Sequence, residues 1–237
     1  MATDPVLDVS GLHAAYGSTP VLRGIDLAVG KGEIVSLIGR NGVGKTTIMR
    51  CLIGLLPATA GEICLLGQPV TALPADERAR LGMGYIPQGR QVFPRMTVEE
   101  NIRVSLLASS AKDRRLVDLV YQYFPILKER RRQSAGTLSG GQQQQLAIGR
   151  AMVGNPRLML LDEPSEGIQP SIVQMICDVL KSIRDQLGTT ILFVEQNLDT
   201  IMAISERCYV IDKGTVAAEI HQDQLATSDA VRQHLLI

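Results

Sequence analysis

The chain of 237 residues is 45% hydrophobic and 20% charged, so it can bury a sizeable core, and its 24 basic side chains balance its 24 acidic ones. This balance and an aromatic content of 3% argue against a general nucleic-acid binder, which would carry a basic surface and stacking side chains. No apolar run approaches the roughly 18 residues of a membrane span, and the N-terminus does not resemble a signal peptide. The four cysteines are scattered along the chain, and we expect them to be buried small hydrophobic residues of a cytosolic protein.

The first part of the chain predicts strands that are separated by glycine-containing turns. The first two strands are expected to pair as an antiparallel ribbon. The third strand is apolar and leads through a glycine loop into a helix over residues 45–56. The predicted strands cover residues 6–17, 21–33, 33–39, 61–70 (a strand pair) and 83–88.

From Thr97 the pattern becomes helical, because Thr97 and Glu100 form a capping box, the reciprocal hydrogen bonding that begins a helix. Ser139 and Gln142 form a second capping box, and Gly154 closes the helix that follows. After this helical block, strands and helices alternate again. The other predicted elements are a helix over 114–124, a basic loop over 128–136, a strand over 158–164, a helix over 170–188, a strand over 189–195, a short helix, a hairpin over 207–220 and a helix after His221.

Strands that alternate with helices predict an α/β fold with a mostly parallel sheet whose two faces are covered. The helical block interrupts this alternation, which indicates a helical subdomain inserted at about residues 89–153. The opening strands predict an N-terminal antiparallel β-subdomain. We therefore expect a single domain over residues 5–237.

The glycine loop between the third strand and the first helix carries the first sign of chemistry. Its sequence "GRNGVGKT", residues 39–46, fits G-x-x-x-x-G-K-[ST], in which backbone N–H groups cradle phosphates and the glycines allow a close approach. The lysine would reach the β- and γ-phosphates, and the hydroxyl of Thr46 would bind Mg²⁺. The predicted nucleotide contacts in this loop are Gly39, Asn41, Gly42, Gly44, Lys45, Thr46 and Thr47.

Two carboxylates follow the buried strand "LMLL", at the end of a sheet strand where open α/β sheets place their ligands. Asp162 would hold Mg²⁺, and Glu163 is placed to polarise an attacking water. Considered alone, the pair could simply cap a strand before Pro164. The phosphate loop elsewhere in the chain favours the chemical interpretation.

The stretch "LSGGQQQQLAIGR", residues 138–150, places a serine and two glycines at the start of a predicted helix. The free N–H groups and the dipole at such a helix end favour an anion. This stretch therefore predicts a second phosphate-binding element rather than a polar linker.

The phosphate loop, "LSGGQ" and "LLDEP", in this order, resemble the ATP-binding cassette (ABC) ATPase family over nearly the whole chain. The resemblance implies a P-loop NTPase core that hydrolyses ATP with Mg²⁺. It also implies a dimer in which the "LSGGQ" signature covers the γ-phosphate of ATP held by a second subunit. Ser139, Gly140, Gly141 and Gln142 would complete that site in trans, and the three glutamines that follow would have no catalytic role.

Further positions have roles that the resemblance implies. Tyr16 is similar to the aromatic residue that stacks on adenine, and Gln88 is similar to the glutamine that senses Mg²⁺ and the attacking water. Gln196 stands where most members have a histidine that touches the γ-phosphate, and an amide can donate a hydrogen bond there but cannot take a proton. Gln169 stands where many members have an aspartate that contacts the other subunit. The alternative for Tyr16, Gln88 and Gln196 is an ordinary structural role.

Within the family, "IPQGRQVFPRMTVEEN" and "DEPSEGIQPSIV" are most similar to ATPase subunits of importers for branched-chain amino acids and for urea or short amides. This resemblance implies a peripheral subunit at the cytoplasmic face of the cell membrane. Its implied partners are a second ABC ATPase subunit in a homo- or heterodimer, transmembrane permease subunits contacted through residues 88–100, and indirectly a periplasmic or extracellular substrate-binding protein. The alternatives are the ATPase subunit of a lipid export or extraction system and a soluble ABC ATPase.

Overall fold

The computed structural model describes residues 5–108, 113–221 and 224, and the helix predicted after His221 lies outside the continuous part of the described chain. Strands and helices follow one another largely as the hydrophobic pattern predicts. The strands are β1 (Leu7–Tyr16), β2 (Thr19–Val29), β3 (Ile34–Ile38), β4 (Ala60–Leu65), β5 (Gln68–Pro69), β6 (Met83–Ile86), β7 (Leu158–Asp162), β8 (Thr190–Val194), β9 (Arg207–Asp212) and β10 (Thr215–His221). The helices are α1 (Lys45–Ile53), α2 (Ala75–Arg80), α3 (Val98–Ala108), α4 (Arg115–Tyr123), α5 (Pro125–Glu129), α6 (Gly140–Val153), α7 (Pro170–Leu187) and α8 (Leu198–Ile204).

In the described residues, the larger sheet has six strands in the order β10-β9-β3-β8-β7-β6. The pairs β9–β3, β3–β8, β8–β7 and β7–β6 are parallel, and β10 joins β9 as an antiparallel edge strand. β3, β7 and β8 are buried at every position, as expected for a parallel sheet covered on both faces. The predicted α/β fold with a mostly parallel sheet is confirmed.

The smaller sheet is antiparallel, with the order β2-β1-β4-β5. Its first pair is the ribbon that the opening sequence predicts, and Tyr16 ends β1 opposite Thr19. Buried and exposed side chains alternate along much of β1, as expected for a sheet with one wet face. This sheet is the predicted antiparallel part of the chain.

The larger sheet has apolar layers on both sides because successive strand residues point in opposite directions. In β7, Leu158 and Leu160 pack with α1 and the smaller sheet, whereas Met159 and Leu161 pack with the helical block and α7. Both faces of the sheet are therefore covered, and the loops at its carboxyl edge start from buried strands. The cysteines are free thiols, of which three are buried and one is half-buried: Cys51, Cys177, Cys208 and Cys64.

The helices α3 to α6 lie between β6 and β7 in the sequence, where the helical block is predicted. Both predicted capping boxes are present. Thr97 and Glu100 exchange hydrogen bonds at the start of α3, and Ser139 and Gln142 do so at the start of α6. None of the helices within the described ranges has both the length and the apolar character needed to cross a membrane.

Three local features of the structure differ from the prediction. α1 ends at Ile53 rather than at residue 56, because Gly54 adopts a left-handed conformation with φ 83° and ends the helix. The predicted basic loop begins later than residue 128, since Pro125 starts α5 and Leu127 is buried in the core. α2 was not predicted at all.

A buried arginine explains why α2 carries so little sequence signal. Arg78 is 2% exposed, and its guanidinium donates to the carbonyl oxygens of Cys51 and Leu52 at 2.7 and 2.8 Å, and to those of Leu73 and Thr71 at 2.9 and 2.7 Å. The carbonyls at a helix end lack partners within the helix, and a cation there is favourable. α2 therefore holds the end of α1 through a tertiary contact rather than through an apolar face.

Candidate functional site

The carboxyl ends of four adjacent parallel strands open into one cavity of about 950 Å³. β3 leads into the glycine loop, β8 into Gln196, β7 into Glu163 and β6 towards Gln88. Four parts of the chain that lie far apart in the sequence therefore meet at one edge of the sheet. The lining residues are Val21, Asn41, Gly42, Gly44, Lys45, Thr46, Thr47, Gln88, Glu163, Ser165, Glu166, Gly167, Glu195, Gln196 and Asn197.

The glycine loop has a backbone shape that requires glycine at its two ends. Gly39 has φ 142°, and a β-carbon there would clash with the carbonyl oxygen of Ile211. Gly44 has φ 112°, and a β-carbon there would lie 2.9 Å from a methyl carbon of Leu22. Side chains at these positions would push the loop away from its place at the N-terminus of α1.

Lys45 is 5% exposed and folds back over the loop. Its ammonium donates to the carbonyl oxygens of Gly39 and Arg40 at 2.6 and 2.7 Å. Burial lowers the pKa of Lys45, although the charges of nearby carboxylates, chiefly Glu163, oppose that shift. The loop thus holds a poorly hydrated cation at the helix N-terminus, an arrangement that suits a polyphosphate.

Asp162 is 2% exposed, and the hydroxyl of Thr46 donates to its Oδ1 at 3.1 Å. Its other oxygen, Oδ2, is buried without a hydrogen-bond partner among the described residues. Burial raises the pKa of Asp162 to about 6, against the effects of Thr46 and Lys45. A buried carboxylate with an unpartnered oxygen beside a hydroxyl fits a hard cation such as Mg²⁺.

Glu163 has φ 49°, a left-handed conformation that is uncommon for a residue with a side chain and that concentrates at functional sites. Its amide donates to the carbonyl oxygen of Val194 at 3.0 Å, which joins the loops after β7 and β8. The amide Nε2 of Gln196 donates to Oε1 of Glu163 at 2.6 Å, and Nε2 of Gln88 donates to Oε2 at 3.1 Å. The carboxylate is therefore held from both sides by the two predicted glutamines.

The structure does not bring all predicted residues into this cavity. Tyr16 is not a lining residue; the residue is 44% exposed, and its hydroxyl accepts a hydrogen bond from Arg50 at 3.3 Å. Ser139 is exposed at the start of α6, where its hydroxyl accepts from the amide of Gln142 at 3.3 Å. The cavity of a single chain thus excludes the residues of the signature: Ser139, Gly140, Gly141 and Gln142. Gln144 and Gln145 in the glutamine run are buried in the helical block.

Sequence reasoning missed two acidic residues of the cavity wall. Glu166 accepts a hydrogen bond from Nε2 of Gln88 at 3.0 Å, so that one amide group bridges Glu163 and Glu166. Glu195 is 3% exposed and follows β8 directly. A charged residue next to a fully buried strand was the available signal for Glu195.

In the described part of the chain, no cluster of three or more His, Cys, Asp or Glu side chains is arranged to hold a metal, so a cation would need Thr46 and phosphate oxygens as further ligands.

Comparisons with known proteins agree with this arrangement. Residues 22–166 match the family model described as ABC transporter. The chain is 40% identical to the high-affinity branched-chain amino acid transport ATP-binding protein BraG of Pseudomonas aeruginosa over 232 residues, which is 98% of this chain and 99% of BraG. It is 36% identical to the lipopolysaccharide export system ATP-binding protein LptB of Escherichia coli K12 over 230 residues, which is 92% of this chain and 93% of LptB.

Among solved structures, the chain is similar to MJ1267, an ATP-binding cassette of an ABC transporter, with a TM-score of 0.85 and 27% identity. The alignment covers 99% of this chain and 100% of MJ1267. The predicted resemblance to subunits for branched-chain amino acid transport is confirmed by the match to BraG. The chain therefore belongs to the ABC transporter family, as a nucleotide-binding subunit that hydrolyses ATP.

Proposed function

We propose that this chain powers an importer for branched-chain amino acids or for urea and short amides. In this proposal, residues 5–237 form one ABC ATPase domain with a helical subdomain at about residues 89–153, and two such domains share two ATP molecules. The observation that carries the chemistry is that Lys45, Gln88, Glu163 and Gln196 line one cavity at the carboxyl edge of the sheet, with Asp162 beside them in a neighbouring cavity and bonded to Thr46. The match to BraG over nearly all of both chains supports the transported class.

ATP would bind with its phosphates on residues 39–47, most of which line the cavity, and the backbone N–H groups and the Lys45 ammonium would hold the phosphate oxygens. Tyr16 would stack on adenine from the end of β1. Thr46 and Asp162 would hold Mg²⁺, and the amide of Gln88 would approach it once the bonds to Glu163 and Glu166 are released. Bound Mg²⁺ would neutralise charge on the β- and γ-phosphates.

Hydrolysis would follow from the position of Glu163. Its carboxylate would accept a proton from the attacking water as the water oxygen bonds to the γ-phosphorus and the bond to the β-phosphate oxygen breaks, which yields ADP and phosphate. Lys45 would stabilise the charge that develops on the phosphate oxygens. Gln196 would donate to the γ-phosphate in place of the family's usual histidine, and this requires that it exchange its bond to Glu163.

The signature would act on ATP held by a second subunit. Ser139 is exposed and lies outside the cavity that its own chain forms, as a contact in trans requires. ATP binding would therefore close the dimer, and hydrolysis would reopen it, because ATP binds the closed state more tightly.

Ser139→Arg is expected to abolish this closure, because a bulky side chain would fill the position of the neighbour's γ-phosphate. In a Glu163→Gln background with ATP and Mg²⁺, size-exclusion chromatography should give a dimer while Ser139 is intact and no dimer once arginine replaces it. ATP affinity of the isolated subunit should stay within about twofold. Gln68→Arg is the matched control, since Gln68 is exposed on the smaller sheet. A large loss of ATP affinity in the isolated subunit would place the signature in cis and contradict the proposal.

Gln196→Ala is expected to slow ATP turnover while ADP affinity stays nearly unchanged. A hydrogen bond to a charged acceptor contributes roughly 1.5–3 kcal/mol, so turnover should fall about ten- to a hundredfold if the bond forms mainly in the transition state. Gln196→His should retain substantial activity and add a pH dependence near neutrality. The assay uses the assembled dimer, and in a heterodimer the partner site is disabled at the position equivalent to Glu163. If the alanine variant hydrolysed ATP at the wild-type rate, Gln196 would have only a packing role.

Subunits of this family dimerise and work with transmembrane permease subunits. We propose residues 88–100 as the permease contact and the cytoplasmic face of the membrane as the location. In this segment Phe93 is 39% and Met96 38% exposed. The Arg150 guanidinium lies 4.3 Å from the centre of the Phe93 ring, which orients the aromatic side chain. The segment begins at Gln88, so a shift of the permease contact would move Gln88 and change its contacts at the ATP site.

Transport assays separate the substrate classes. In proteoliposomes that contain the chain with its second ATPase subunit, permeases and binding protein, ATP should drive uptake of labelled leucine or of labelled urea. The similarity to LptB makes lipid export the second candidate, which export of lipopolysaccharide from the same vesicles would support. ATP-dependent lipid export without uptake of either small molecule would overturn the importer assignment.

A further inference from the structure

Glu195 is a buried carboxylate that the reaction described above does not use. It follows β8, whose residues are all buried, and is itself 3% exposed. A carboxylate in such a place is costly unless hydrogen bonds replace its water. Its contacts therefore indicate what the residue stabilises.

In the described structure, the two oxygens of Glu195 bind two different loops. Oε1 accepts from the backbone amides of Gln196 and Asn197 at 2.8 and 3.0 Å, in the loop after β8. Oε2 accepts from the hydroxyl and the amide of Ser165 at 2.7 and 3.3 Å, in the loop after β7. The carboxylate thus joins the loop that carries Gln196 to the loop that carries Glu163.

These bonds complete a closed circuit around the candidate base. Glu163 and Ser165 belong to one loop, Glu195 binds Ser165 and the amide of Gln196, and Nε2 of Gln196 donates to Oε1 of Glu163 at 2.6 Å. Glu163 also has the uncommon φ of 49°, which the surrounding contacts must maintain. Removal of the Glu195 contacts would break the two bonds from Ser165 to the loop after β8 and weaken the link between the loops, which would then depend on the bonds from the Glu163 amide to Val194 and from Gln196 to Glu163.

Glu195 is not itself suited to accept a proton from water. Both of its oxygens are engaged by N–H and O–H donors, and it is buried although it belongs to the cavity wall, whereas Glu163 on the same wall is half-buried. Catalytic groups need supporting hydrogen bonds that fix their geometry, since a misplacement of about 1 Å can cost about a hundredfold in rate. We propose that Glu195 is a positioning residue that sets the distance between Gln196 and Glu163 for hydrolysis.

This inference rests on the proposed roles of Glu163 and Gln196. The test is Glu195→Gln in the assembled dimer, with steady-state ATP hydrolysis measured alone and in a Gln196→Ala background. In Glu195→Gln the amide nitrogen cannot accept the bond from the Ser165 backbone N–H, and the Ser165 hydroxyl must turn from donor to acceptor, so the link between the two loops should weaken. We expect Glu195→Gln to lower kcat about tenfold while KM for ATP stays within about twofold. In the Gln196→Ala background, Glu195→Gln should lower kcat little further, because both changes act through the same contact.

Glu33→Gln is the matched control. Like Glu195, Glu33 accepts from a backbone amide, but its other partner is an arginine and it does not line the cavity. Glu33→Gln should lower the thermal midpoint without changing kcat. If Glu195→Gln does not fold, Ser165→Ala removes one donor to the same carboxylate and should show the same coupling to Gln196 with a smaller fall.

The positioning role would be overturned if the variant that folds had the wild-type kcat. It would also be overturned if the fold-decrease in kcat of the double variant equalled the product of the fold-decreases of the two single variants. The parallel Glu163→Gln measurement separates this outcome from failure of the proposed function. If Glu163→Gln is inactive while Glu195→Gln behaves as wild type, the positioning role alone is refuted. If Glu163→Gln hydrolyses ATP normally, the proposed mechanism itself fails.

Discussion

Lys45→Ala is expected to abolish ATP hydrolysis and to weaken nucleotide binding. Lys45 is the buried cation of the glycine loop, and alanine leaves the backbone N–H groups to hold the phosphates without a charge. Hydrogen bonds between charged groups contribute about 1.5–3 kcal/mol each, so two such bonds to the phosphates correspond to roughly a hundredfold or more in turnover. Steady-state phosphate release and equilibrium binding of labelled ATP measure the two effects.

The matched control for this substitution is Lys128→Ala, since Lys128 is exposed on α5. It removes the same charge and should leave both quantities unchanged. Hydrolysis by Lys45→Ala within about twofold of wild type would contradict the assignment of residues 39–47 as the phosphate site.

Glu163→Gln is expected to bind ATP with nearly wild-type affinity and to hydrolyse it about a hundred- to ten-thousandfold more slowly, because the general base is lost while the shape is kept. Slow hydrolysis should accumulate the closed dimer with ATP and Mg²⁺. Single-turnover hydrolysis and size-exclusion chromatography, with the second ATPase subunit present, measure the two consequences.

Glu129→Gln on α5 serves as the control, because Glu129 is exposed and remote from the cavity. It should cycle ATP as wild type does and should not accumulate a dimer. Rapid hydrolysis by Glu163→Gln would mean that another group takes the proton from water.

The parts of the site that the sequence predicts are those whose chemistry is local in the chain. The glycine loop and the capping box at Ser139 each lie within a few consecutive residues, so their spacing identifies them, and the glycine loop in turn favours a chemical role for the adjacent pair Asp162 and Glu163. The strands that carry them are apolar runs, and the parallel sheet follows from their alternation with helices.

The parts that the sequence does not predict depend on contacts between distant segments. Gln88 binds Glu166 across 78 positions, and Ser165 binds Glu195 across 30, so neither pair leaves a local pattern. The sequence does not predict α2 for the same reason. This helix is held by Arg78, which is buried against the carbonyls at the end of α1, and not by an apolar face that a hydrophobic pattern would show. Tertiary contacts outweigh local propensity in such segments.

A crystal structure of the Glu163→Gln assembly grown with ATP and Mg²⁺ tests the shared ATP site most directly. We expect a closed dimer in which ATP lies on residues 39–47 of one subunit, with its γ-phosphate contacted by Ser139 of the partner subunit or the equivalent serine of a second ATPase. Mg²⁺ should lie between the phosphates, Thr46 and Asp162. ATP bound to a subunit whose γ-phosphate meets no signature residues of a second cassette would contradict the shared site on which the proposed mechanism depends.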